Sequence, residues 1–101
     1  MGKVSVMGTL TCQDGKADEM ARVLAGMVEA ARDEPGVEVY SYHRGEGNTF
    51  WFFALMSDAE SMQAHGRTET MQAAMEAFGP LVAEPPQMMM ATPVAALGLD
   101  L

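Results

Sequence analysis

Phe50-Trp51-Phe52-Phe53-Ala54-Leu55-Met56 is the stretch on which the fold turns. It is far shorter than the roughly 18 apolar residues of a membrane helix, and its aromatic run reads as a β-strand. Successive side chains of a strand point to opposite faces of the sheet, so here both faces are apolar. A lone sheet with helices on one side meets water on the other, and alternate positions there are polar. Either face of this strand instead carries two or more of Phe50, Trp51, Phe52, Phe53, Leu55 and Met56. An exposed apolar face of that extent marks an interface. A second copy of the same sheet would cover it, so the pattern predicts a homodimer.

Working outward, Gly45-Glu46-Gly47-Asn48 supplies a hairpin loop to the preceding strand, 37–44. There Val37, Val39, Ser41 and His43 are expected on one face, with Glu38, Tyr40, Tyr42 and Arg44 on the other. Upstream, Val4, Val6, Gly8, Leu10 and Cys12 alternate with polar residues, a first strand closed by the turn signal Asp14-Gly15. Met20, Val23, Leu24, Met27, Val28 and Ala31 form one helical stripe, opened by Asp18 and Glu19 and stopped by Pro35-Gly36. Downstream, Ser57-Asp58-Ala59-Glu60 has the pattern of a capping box, starting a short helix that runs to His65 and Gly66. A further helix from about Thr68 turns Met71, Ala74, Met75 and Phe78 inward, and Pro85-Pro86 leads into a last strand at 87–94. The order is βαββαβ, a ferredoxin-like α+β fold: one four-stranded antiparallel sheet with helices on one face. No repeat or linker divides the chain, so residues 1–101 are expected to form a single domain.

Composition narrows the functional classes. Asp plus Glu number 14 against 6 Lys plus Arg, a formal charge of −8. Nucleic acids and anionic membrane surfaces call for the opposite sign, so neither is an expected partner. The first residues have no signal-peptide pattern, and a cytoplasmic protein is expected. The single Cys12 can form no disulfide within the chain, and no metal-ligand spacing, phosphate loop or nucleophile elbow occurs. The methionines are unusually many, at 11. They fall largely where helices meet the sheet, which suits an adaptable apolar pocket or a filled one.

The chain resembles the antibiotic biosynthesis monooxygenase family of dimeric α+β-barrel proteins. The likeness rests on Gly8-Thr9-Leu10-Thr11 with Asp14-Gly15-Lys16, on Glu34-Pro35-Gly36 with Tyr40-Ser41-Tyr42-His43-Arg44, on Ser57 to Ala64-His65, and on Gly79-Pro80-Leu81 with Pro85-Pro86. The resemblance implies that the sheets of two subunits pack into a barrel, with a pocket in each subunit between sheet and helices. It also implies cofactor-free oxygenation of phenols or quinols, which other members replace by haem cleavage. The haem-degrading branch uses an asparagine, a tryptophan and a histidine where this chain has Gly8, Met56 and the region of Met75. The Glu-Glu-Trp of many other members is here Ala54-Leu55-Met56.

Under this reading no cofactor is required, and the ligand is an apolar or aromatic small molecule. A base working near neutral pH must withdraw a phenolic proton, and histidine is the natural candidate. His65 is the expected base; its alternative role is a structural histidine tied to a helix end or loop. His43, beside the hairpin, is expected to face solvent. Tyr40 and Tyr42 could bond a quinone oxygen, Arg44 could stabilise a phenolate, and Trp51 could stack on a ring, with Met56 at the apolar end of the pocket. Packing and interface roles stand beside each of these. Cys12 reads as an inert small hydrophobe, and the acidic residues read as solvated surface. The competing function is a non-catalytic dimeric module that binds an apolar ligand.

Overall fold

The computed structural model describes residues 2–101. The chain runs β1 (Val4–Thr11), α1 (Ala17–Ala31), β2 (Val37–Arg44), β3 (Thr49–Met56), α2 (Ala59–Gly66), α3 (Glu69–Phe78) and β4 (Gln87–Ala91). The strands form one antiparallel sheet in the order β2-β3-β1-β4. This is the expected ferredoxin-like βαββαβ arrangement, with its second helix divided in two. β4 ends at Ala91, short of the expected 94, because Pro93 has no N–H with which to extend a ladder.

Register fixes which side chains meet the helices. Val6 pairs with Ala54, Gly8 with Phe52 and Leu10 with Phe50 across β1 and β3; Tyr40 pairs with Ala54 and Tyr42 with Phe52 across β2 and β3. All of these lie on the helix-covered face. The buried core there has two parts. Leu10, Met20, Leu24, Met27, Phe50 and Phe78 form the larger, and Val6, Ala54 and Met56 the smaller. Met20 and Met56 are sealed almost completely, and burying a side chain of this size stabilises a fold by about 1.5–3 kcal/mol.

Two local readings are corrected. A bulge between Val37 and Val39 shifts the β2–β3 register, so Val37 joins Val4, Tyr40, Phe52 and Met62 around the smaller core cluster instead of sharing a face with Val39. An extra residue in one strand reverses the parity of everything before it. The cap of α2 is also displaced by one residue. Asp58 is the N-cap, its Oδ1 accepting from the Ser61 N–H at 2.7 Å. Ser57 instead donates its hydroxyl to Glu38 Oε2 at 2.6 Å.

The opposite face of the sheet is mixed: Met7, Trp51, Phe53, Leu55 and Met89 share it with Ser5, Thr9, Ser41, His43 and Gln87. Leu55 is fully buried and Ser5 nearly so, at the end to which the C-terminal segment returns so that Lys3 Nζ donates to the Asp100 carbonyl. Further along that face Met7, Trp51 and Met89 are exposed.

Candidate functional site

A cavity of about 410 Å³ lies between the sheet and the helices, bordered by members of both core clusters. Its size is within the ordinary range for small-molecule sites. Its walls are mostly apolar, and six methionines contribute: Met27, Met56, Met62, Met71, Met75 and Met88. They surround the space without filling it. Polar side chains come from one side only, as Tyr40, Tyr42 and His65.

His65 sits in the last turn of α2 with 6% of its surface exposed. Its Nδ1 lies 2.9 Å from Glu34 Oε1. A carboxylate can only accept, so Nδ1 carries the hydrogen and Nε2 of the neutral ring keeps a lone pair. The imidazole also meets the Tyr40 ring edge-on, with centroids 5.2 Å apart.

Tyr40 and Tyr42, two apart on β2, project from the same face, and their hydroxyls are 2.9 Å apart in a shared hydrogen bond. Burial pushes both phenols above their ordinary pKa. The shared bond draws Tyr40 back down and raises Tyr42 further, and Glu34 adds to the rise at Tyr40. Both therefore remain protonated near neutral pH. One of the two hydroxyl hydrogens is spent on the shared bond, so the pair offers a ligand oxygen one O–H donor, and neither phenol is a base.

The structure brings four of the sequence-predicted residues to this cavity: His65, Tyr40, Tyr42 and Met56. Two others lie elsewhere. Trp51 stands on the opposite face of the sheet, 57% exposed, because it alternates with Phe50 and Phe52, which face the helices; it cannot stack on a ligand in this cavity. Arg44 lines an adjoining groove between α1 and β2, which shares Tyr40 and Tyr42 with the cavity; there its Nη1 donates to Asp18 Oδ1 at 2.8 Å and its guanidinium lies 5.9 Å from the Phe50 ring centroid. Its charge is committed outside the cavity. His43 is exposed and bonded to Ser41 Oγ at 2.9 Å. Cys12 is buried, and burial raises its thiol pKa, which keeps it protonated and unreactive.

Reading the acidic residues as uniformly solvated missed Glu34. Its partner is 31 positions away, so no local spacing reveals the pair. The available signal was its place in Glu34-Pro35-Gly36, where the chain leaves α1 and turns into β2. Gly8 answers the question of a side chain at its position: a Cβ there would lie 1.9 Å from the Gln87 carbonyl oxygen and 2.8 Å from Phe52 Cζ. The asparagine of the haem-degrading branch has no room. Among the described residues no group of three His, Cys, Asp or Glu side chains could hold a metal ion, and no helix is long and apolar enough to cross a membrane.

The sequence pattern of the antibiotic biosynthesis monooxygenase family matches residues 3–77. Among solved structures, a Caulobacter crescentus protein provisionally placed in that family is 28% identical, with a TM-score of 0.88 over 93% of this chain and 92% of its own. A Nitrosomonas europaea protein of unknown function is 24% identical, with a TM-score of 0.88 over 99% of this chain and 97% of its own. A second Nitrosomonas europaea protein, provisionally placed in the same family, is 14% identical at a TM-score of 0.88, covering 97% of each chain. The last two bear on the fold alone. No protein of curated function matches the chain.

Proposed function

The chain belongs to the antibiotic biosynthesis monooxygenase family, and from that premise we propose that it is a cofactor-independent monooxygenase of phenolic or quinol-type aromatic small molecules. The observation that carries the reading is the convergence of His65, Tyr40 and Tyr42 on one side of an otherwise apolar cavity of about 410 Å³. A flat aromatic fills the apolar space, and its oxygen meets the tyrosine hydroxyls. Nε2 of His65 takes the phenolic proton. The phenolate passes one electron to dioxygen, and the aryloxyl radical and superoxide combine at a ring carbon. Loss of water from that peroxide leaves an oxidised ring. For a hydroquinone, one oxygen atom of dioxygen ends in the hydroxyquinone and the other in water, all four electrons coming from the substrate.

The same reading includes a homodimer. Met7, Trp51 and Met89 expose an apolar stretch on the sheet face away from the cavity, and a second copy supplies a cover of matching chemistry.

Oxygen uptake with a panel of hydroquinones and anthrols, metal stripped, tests the activity. Turnover by the wild type with a loss of about 100-fold or more in His65→Ala is expected for a general base. No turnover across the panel, or turnover unchanged in His65→Ala, overturns the mechanism. Binding of the same compounds without turnover would instead favour a non-catalytic module for apolar ligands.

A further inference from the structure

We infer that Glu34 is a positioning residue for His65: it fixes the imidazole with Nε2 as the free base and supplies the countercharge when that nitrogen is protonated. The inference rests on the reading of His65 as the base. Three observations converge on it.

The first is the pairing itself. With Nδ1–H held by Glu34 Oε1 at 2.9 Å, the ring of a helix-borne histidine is fixed in both rotation and tautomer. The lone pair is then left on Nε2, the ring nitrogen that Glu34 does not engage, on a side chain that lines the cavity.

The second is the way the two partners are held. A Cβ on Gly36 would lie 2.0 Å from Ser61 Oγ and 2.2 Å from Ser61 Cβ, so the turn after Glu34 touches α2 directly and only glycine allows that approach. Ser61 precedes His65 by four residues and therefore shares its helix face. α2 thus rests on the 34–36 turn at two points, Ser61 on Gly36 and His65 on Glu34. The turn is itself tied down, as Ser57 N–H donates to the Gly36 carbonyl at 2.9 Å and Val37 N–H to the Glu34 carbonyl at 3.2 Å. A contact so braced places a ring; it does not merely neutralise a stray charge.

The third is a gradient of exposure. The His65 side chain is 8% exposed and that of Glu34 is 20%. A proton arriving at Nε2 creates an imidazolium in apolar surroundings, where an unpaired charge is expensive. Glu34 provides the countercharge, 2.9 Å from Nδ1, while its own side chain keeps partial contact with solvent. The proton itself stays on Nε2, from which it returns to the peroxide as water is lost, so Nδ1–H keeps its bond to Glu34 and Nε2 is restored as the free base.

The test uses the full chain and needs no substrate for its first arm. Long-range ¹H–¹⁵N correlation of the His65 ring, recorded with the ring neutral, is expected to give the Nδ1–H tautomer in the wild type, and a shift towards Nε2–H in Glu34→Ala. An Nε2–H tautomer in the wild type overturns the inference with no variant required, and so does an unchanged tautomer in folded Glu34→Ala. The second arm uses a compound that the oxygen-uptake panel has found to turn over. Glu34→Ala is expected to lower kcat by about 10–100-fold with KM little changed, and Glu34→Asp to recover part of the loss. A large KM change with kcat intact makes Glu34 a binding-pocket residue and overturns the positioning role. The two readings fail separately: activity that survives His65→Ala removes the base, whereas a lost His65→Ala activity beside an unaffected Glu34→Ala removes only the role of Glu34.

Discussion

At the scale of single residues, the tyrosine pair makes the sharpest statement. The chain has only two tyrosines, and both are Tyr40 and Tyr42 with raised pKa. A phenol whose folded pKa lies above its unfolded value near 10 contributes stability that is present below pH 10 and lost as pH rises through the folded value. Phenolate absorbance near 295 nm therefore has no surface tyrosine to dilute it. Its midpoint is expected above the ordinary value near 10 and above that of the same chain unfolded in denaturant. An ordinary titration centred at pH 10 with the fold intact would remove the buried pair. This part of the site was legible in the sequence because two residues of a strand separated by one must share a face. The parity of Trp51 was equally legible, since it alternates with Phe50 and Phe52. What the sequence left open was which parity faced the helices. Glu34 was hidden for a different reason: its role arises where two elements touch, and neither element reveals it alone.

At the scale of elements, the start of α2 separates two similar residues. Asp58 caps the helix through the Ser61 N–H, and that bond holds its carboxyl below the usual range. Ser57 faces Glu38 instead. Replacing a capping Asp by Ala costs about 1 kcal/mol. Asp58→Ala is therefore expected to destabilise the fold by about that amount in urea unfolding, whereas Ser57→Ala, losing one surface hydrogen bond, costs about half as much or less. The reverse order would restore Ser57 as the cap. The capping pattern was readable in Ser57-Asp58-Ala59-Glu60, yet its register was not, because both residues are good caps. Glu38, brought to the same corner by the β2 bulge, decided it by taking the serine hydroxyl. The bulge itself has no marker in Val37-Glu38-Val39, whose alternation looks regular.

At the scale of the whole molecule, β3 drove the expectation of a second copy, and its two faces now have different causes. Phe50, Phe52, Ala54 and Met56 are apolar because they border the core and the cavity. On the other face, Leu55 is already buried within the chain, while Trp51 remains 57% exposed. The dimer argument therefore rests on Trp51 and its neighbours Met7 and Met89, a smaller patch than the sequence implied. Light scattering at micromolar concentration is expected to give twice the chain mass for the wild type. Trp51→Asp, which leaves the cavity wall untouched, is expected to give a single-chain mass. A wild-type monomer, or a dimer indifferent to that substitution, would exclude pairing through this patch.

The methionines around the cavity also make it observable. Six of the chain's 11 border that one space, each ending in a freely rotating methyl group, while the neighbouring aromatic rings of Tyr40, Tyr42, Phe52 and Phe78 impose strong ring-current shifts. Methionine labelled with ¹³C at the methyl carbon would turn those side chains into reporters placed all around the chamber. A compound that enters would displace their resonances together and leave that of Met89, on the far side of the sheet, where it was. Ligands could then be sought by spectrum before any reaction is known, with the protein's own sulfur-borne methyls marking where they lodge.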